Sequence, residues 1–192
     1  MGSYTTRPLD AKELKSLIDL IALGYTDPDG TPHKPNRQIA VILTLQANLG
    51  CRIGDICALA VESFVNDGEV WKLNITEQKT GKARYFIVPG PVKRFVDQWI
   101  AERGIYHGAL FSINEYAVWK QMRAATKTLG MENVSTHSLR KYSCRKVYEA
   151  SGKDIALTSA FMNHKSPSTT YLYLRMSSKQ MDEAISKTVT LI

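Results

Sequence analysis

Apolar and polar positions along this chain follow a helical period, give way once to strand alternation, and then return to helix. LDAKELKSLIDLIALG (9–24) carries a helical apolar stripe, and Asp10 and Glu13 stand at capping-box spacing at its start. YTDPDGTPHKP (25–35) is rich in Pro, Gly and Asp and reads as a loop. NRQIAVILTLQANLG (36–50) predicts an apolar helix capped by Asn36 and stopped by Gly50, with a shorter helical stretch, CRIGDICALAV (51–61), directly after it.

At residue 68 the period changes. GEVWKLNIT (68–76) alternates like a strand, ARYFIVP (83–89) reads as its partner, and EQKTGK (77–82) supplies the turn, placing lysines at the tip of a hairpin. Helical spacing resumes in PVKRFVDQWIAERG (91–104), with Pro at its start and Gly at its end, and in NEYAVWKQMRAATKTLG (114–130). The remainder, 136–152, 153–164, 168–176 and 177–187, reads as further helices. The expected fold class is mainly α with one small antiparallel β hairpin (α+β). No repeat or low-complexity tract interrupts it.

A length of 192 residues suits one good-sized domain, and 44% hydrophobic content is ordinary for a globular core. Met1-Gly2-Ser3 resembles a cloning scar, so the expected domain is residues 4–192 of a chain cut from something longer. No run approaches the roughly 18–20 apolar residues of a membrane span. Charge changes the picture more. A net +7, from 25 Lys and Arg against 18 Asp and Glu, makes a polyanion the first partner to consider, nucleic acid before membrane. Cys51, Cys57 and Cys144 are odd in number and lack zinc spacing, which points to reduced thiols, a cytoplasmic setting and no structural metal.

Four short stretches carry candidate chemistry. In HSLR, His137 and Arg140 share a helix face near an N-terminus, where free N–H groups favour an anion. In LGCRIGD, Arg52 stands in an apolar neighbourhood with Asp55 three residues on. That is either a plain structural pair or a guanidinium fixed by Asp55 and aimed at a phosphate. Lys79, at the hairpin tip, is either solvated or a proton donor to a leaving oxygen. In NHKSPSTTYLYL (163–174), Tyr171 and Tyr173 point about 200° apart on a helix, so at most one faces whatever His164 faces. A phenol near guanidinium groups ionises more easily, but both tyrosines could simply pack.

Taken together and in order, these motifs resemble the catalytic domain of the tyrosine recombinases of the phage integrase family. The G-x-R-x-x-E/D motif is matched by Gly50, Arg52 and Asp55, and the hairpin lysine by Lys79 within KTG. The H-x-L-R box is matched by His137, Leu139 and Arg140, and the later histidine by His164. The nucleophile usually lies nine residues beyond that histidine, which selects Tyr173 over Tyr171. Asn163 departs from the family's frequent Gly, and Asn48-Leu49 from a common Thr before the G-x-R.

The resemblance implies the tyrosine recombinase catalytic-domain fold and a site-specific recombinase or integrase that cuts and rejoins DNA through a 3′-phosphotyrosine. Such an enzyme serves integration or excision of a mobile element and needs no metal or other cofactor. Arg52 and Arg140 would hold the phosphate, Lys79 would protonate the leaving oxygen, His137 would assist proton transfer and His164 would bond the phosphate. Asp55 would orient Arg52. Lys82, Arg84, Lys141, Arg145 and Lys146 are expected DNA-backbone contacts, against the alternative of a solvated basic face. Partners would be double-stranded DNA and further copies of the chain, a tetramer in the synaptic complex, with the tail at about 177–192 docking on a neighbouring protomer. The competing readings are type IB topoisomerase-like relaxation and a non-catalytic DNA-binding regulator on the same fold.

Overall fold

Asp10 begins the first helix in the computed structural model, which describes residues 6–174. Its carboxylate accepts from the Glu13 amide (2.8 Å) while Glu13 reaches back to the Asp10 amide (3.0 Å), the reciprocal box that starts α1 (Ala11–Leu23). α2 (Arg37–Leu49) follows, with the Asn36 side chain accepting from the Ile39 amide. Apolar residues encircle α2, and so it becomes the buried centre of the first of two compact units, residues 1–143 and 144–192. Ile39, Ile42, Leu43, Leu45 and Leu49 are all at most 1% exposed. α1 packs against α2 and α5 (Glu115–Thr128), and α4 (Gly90–Arg103) also packs on α2.

α2 ends where Gly50 takes a left-handed backbone (φ 62°) and its amide returns to the Gln46 carbonyl. The chain then extends through Arg52 into the short α3 (Ile53–Cys57). The 25–35 loop closes on a two-residue antiparallel ladder, β1 (Tyr25–Thr26) with β2 (Pro32–His33). The predicted hairpin is β4 (Trp71–Thr76) with β5 (Ala83–Ile87), Ile75 opposite Arg84 and Thr76 opposite Ala83. A strand the pattern did not announce, β3 (Phe64–Asn66), extends it to three strands in the order β3-β4-β5. Three residues are too few to show alternation, and of them only Phe64 is buried.

α6 (Thr136–Ala150) carries the HSLR box at its start, and the unit boundary at Ser143 falls inside it. The second unit contains α7 (Ile155–Phe161), capped by Asp154 on the Leu157 amide, and α8 (Pro167–Leu174), packed against α7. Among the described residues no helix is long and apolar enough to cross a membrane. The helix expected over 177–187, and the tail of which it is part, lie outside the described residues.

Candidate active site

Gly50 is the hub of the first unit's basic cluster. Its left-handed turn leaves its carbonyl free of α2, and two guanidinium groups from distant segments converge on it. Arg140 Nη1 donates to that oxygen at 2.5 Å and Arg84 Nη1 at 3.4 Å, while Arg84 Nη2 donates to the Leu49 carbonyl at 3.3 Å. Arg52, two residues further on, places Nη1 2.6 Å from Glu77 Oε2, an ion pair whose angles fall outside hydrogen-bond geometry. Glu77 also faces Arg84, with 3.7 Å between Oε1 and Nη1. Burial alone would raise the Glu77 carboxyl, but Thr80, Arg52 and Arg84 together hold it below the ordinary carboxylate range.

The hairpin tip is built on the same carboxylate. The Glu77 amide donates to the Lys82 carbonyl (2.9 Å), and the Gly81 amide donates to the Glu77 carbonyl (2.8 Å). Gly81 sits at φ 64°, a left-handed position that favours glycine. Thr80 Oγ1 donates to Glu77 Oε2 at 2.6 Å. Asp55 Oδ1 accepts from the Gln78 amide at 2.9 Å. Lys79 stands exposed between these anchors.

His137 feels this cluster. Partial enclosure, followed by the charges of Arg140, Lys141, Lys79 and Arg52, holds its pKa below the usual histidine value. Its ring is therefore neutral near pH 7 and able to accept a proton. Four side chains from three separate segments, Arg52, Lys79, and His137 with Arg140 on α6, are thus gathered in the first unit.

Three expectations need correction. Asp55 does not orient Arg52: it fixes the lysine-bearing turn through Gln78, and the partner of Arg52 is Glu77. Arg84 is not turned toward solvent for a DNA backbone. It is 3% exposed, with its guanidinium spent on Glu77 and two carbonyls and stacked 4.7 Å from the Phe86 ring. Lys141 is 7% exposed and donates to the Thr6 carbonyl. Lys82 is half-buried, while Arg145 and Lys146 are exposed, Arg145 beside Glu149 at 3.1 Å.

In the second unit the end of α7 sets His164. The His164 amide donates to the Ser159 carbonyl (3.1 Å) and the Asn163 amide to the Ala160 carbonyl (3.0 Å), with Asn163 left-handed at φ 53°. That is a Schellman motif, and it throws the chain out of the helix at the histidine. His164 Nδ1 then pairs with Thr170 Oγ1 at 2.9 Å, and its ring meets Tyr173 edge-on, with centroids 4.8 Å apart. Tyr173 is half-buried on this side of α8, while Tyr171 is 48% exposed. Of the two tyrosines, Tyr173 is the one that faces His164.

A match to the phage integrase family runs over residues 7–180. This chain belongs to the phage integrase family. It is 28% identical over 145 residues to the probable integrase/recombinase YoeC of Bacillus subtilis (strain 168), covering 72% of this chain and 78% of that protein. It is 25% identical over 190 residues to the tyrosine recombinase XerA of Pyrococcus furiosus, covering 94% of this chain and 61% of that one. Among solved structures it resembles the XerH site-specific recombinase bound to difH substrate, with TM-score 0.68 and 18% identity, covering 95% of this chain and 54% of that one. The fold is that of tyrosine recombinase catalytic domains. The chain spans little more than half the length of XerA and XerH.

Glu77 is the residue the sequence reading missed. A carboxylate in EQKTGK looks solvated, yet strand alternation carries the inward face from Leu73 through Ile75 to position 77. Both Leu73 and Glu77 are fully buried.

Proposed function

We propose that this chain is the catalytic domain of a site-specific DNA recombinase that cleaves and rejoins duplex DNA through a 3′-phosphotyrosine. The gathering of Arg52, Lys79, His137 and Arg140 around the Gly50 turn carries this reading. It provides two guanidinium groups, a lysine and a neutral imidazole, groups suited to phosphoryl transfer to a phenol.

In the forward step the Tyr173 oxygen forms a bond to phosphorus as the bond from phosphorus to the 5′ oxygen breaks. The phenol proton passes to His137, and Lys79 supplies a proton to the departing 5′ oxygen. Arg52 and Arg140 offset the charge that builds on the non-bridging oxygens, with His164 as a further donor. Removal of one such preorganised donor slows reaction by on the order of 10²–10³. Rejoining runs the same steps backward, and the phosphodiester energy is kept in the covalent link.

The relatives named as integrase and recombinase, and XerH bound to its difH substrate, support duplex DNA as the partner. The proposal extends to copies assembled on that DNA, up to a tetramer, for integration or excision of a mobile element in the bacterial cytoplasm.

The test is covalent trapping on a pool of nicked duplexes with a randomised core, separated on a denaturing gel. Wild type and Tyr171→Phe are expected to form a protein–DNA adduct, and Tyr173→Phe none. Loss of the adduct in Tyr171→Phe alone would move the nucleophile by two residues. Absence of any wild-type adduct would overturn the catalytic reading for this chain.

A further inference from the structure

One carboxylate oxygen joins two elements of the first unit that sequence keeps apart. Glu77 Oε2 lies 2.6 Å from Arg52 Nη1 at the start of α3 and accepts from Thr80 Oγ1, also at 2.6 Å, within the turn that carries Lys79. Behind it, buried Arg84 approaches Oε1 and ties the carboxylate to the Leu49 and Gly50 carbonyls, on the segment that leads into Arg52.

We propose that Glu77 is a positioning residue that sets the phosphate-binding Arg52 and the proton-donating Lys79 turn in a single register. The inference rests on the recombinase reading above and adds a residue and a coupling to it. The physical argument is one of preorganisation. An exposed lysine on a hairpin tip has four rotatable bonds, and a turn that drifted would spread its ammonium over several ångströms. Transfer of a proton to a leaving oxygen needs heavy atoms within about 3.2 Å. A turn locked to the phosphate-binding arginine keeps the lysine in step with the phosphate itself.

Glu77 is fully buried, so its charge is not screened by water, and both its ionic neighbours are arginines. Gln at this position retains the volume but loses the charge that holds Arg52. Val at position 80 removes the hydroxyl link to the turn and leaves the Arg52 pair intact. The two substitutions therefore separate the two arms of the carboxylate.

A leaving group that needs no protonation distinguishes them. In a nicked duplex recovered from the trapping pool, the 5′-bridging oxygen at the scissile phosphate is replaced by sulfur, whose thiol ionises near 8.5. Single-turnover cleavage is measured on both substrates. Lys79→Ala is expected to be slow on oxygen and near wild type on sulfur, and Arg52→Lys slow on both. Thr80→Val should follow Lys79→Ala, with a deficit of about tenfold on oxygen that sulfur erases. Glu77→Gln should be slowed by on the order of 10² on oxygen and regain about tenfold on sulfur without reaching wild type.

An equal Glu77→Gln deficit on both substrates would overturn the coupling to the lysine turn. A deficit that sulfur erases completely would overturn the coupling to Arg52, and no deficit would overturn both. A second measurement needs no DNA. Amide exchange of Thr80 and Gly81 should quicken in both Glu77→Gln and Arg52→Met, while the amides of Ile42 and Leu43 in α2 stay protected. Unchanged exchange at the turn in Arg52→Met would refute the coupling even if no adduct forms with wild type. Absence of the adduct alone would strike the recombinase reading.

Discussion

At the scale of single residues, His137 makes a prediction whose sign follows from its surroundings. Its pKa is held low by partial enclosure and by four positive neighbours, whereas in the unfolded chain it returns to about 6.5. As pH falls through about 6.5 the unfolded chain takes up the proton first, and protonation favours unfolding. The penalty is absent above that pH and complete below the folded value. Melting curves between pH 7.5 and 5.5 should show wild type losing stability faster than His137→Gln, and parallel curves would contradict the assignment. Asn163 shows what a single residue reveals in sequence and what it hides. It looked like a departure from a frequent glycine. At φ 53° the backbone is left-handed, and Asn is a non-glycine residue that tolerates that region. The backbone demand is the same, met by a different residue. Helical geometry shows only that Tyr171 and Tyr173 face different ways, and the nine-residue spacing of the family resemblance selects Tyr173. Its edge-on contact with His164 required the Schellman turn, which a sequence with Asn in place of Gly does not advertise.

At the scale of elements, the helices could be read closely because their caps are chemical: Asp10, Asn36, Asn114 and Asp154 each accept from an amide of the first turn. The hairpin was found for its alternation, and the same alternation held an unused conclusion. Residues 84, 86 and 88 share the inward face of β5 and its end, which places Arg84 among buried side chains with Val88. A basic residue on a strand was read as a DNA contact because its charge outweighed its register. Its environment gives a direct test. Arg84→Met removes a guanidinium that serves Glu77 and two carbonyls, leaving the buried carboxylate with the Arg52 charge and the Thr80 hydroxyl. Breaking a buried pair in this way costs about 3 kcal/mol. Urea unfolding should show a lower midpoint with unchanged slope, and the salt dependence of DNA binding should match wild type. A weaker salt dependence with unchanged stability would return Arg84 to the DNA.

At the scale of the whole molecule, the net charge of +7 is a statement about how binding responds to salt. Each phosphate neutralised by a lysine or arginine releases counterions, so log K falls with log salt at a slope of about −0.9 per contact. That slope counts cations that reach the backbone and ignores those committed elsewhere. Of the five basic residues expected at DNA, Arg84 and Lys141 are committed within the protein, one to Glu77 and the other to the Thr6 carbonyl. Arg145 and Lys146 are exposed, and the Arg145–Glu149 pair, 61% and 55% exposed, is too solvated to hold the arginine back from a stronger anion. Fluorescence anisotropy with a nonspecific duplex, across a salt series, should therefore show the slope shrink by about 1 in Lys146→Gln and again in Arg145→Gln. Lys141→Gln should leave the slope alone and lower the melting temperature instead, because it takes a buried lysine's hydrogen bond away from the half-buried Thr6 carbonyl. Charge counted along the sequence treats these three residues alike. If Lys141→Gln lowered the slope while Lys146→Gln did not, α6 would present its other face to the DNA, and the basic surface would have to be redrawn from that result.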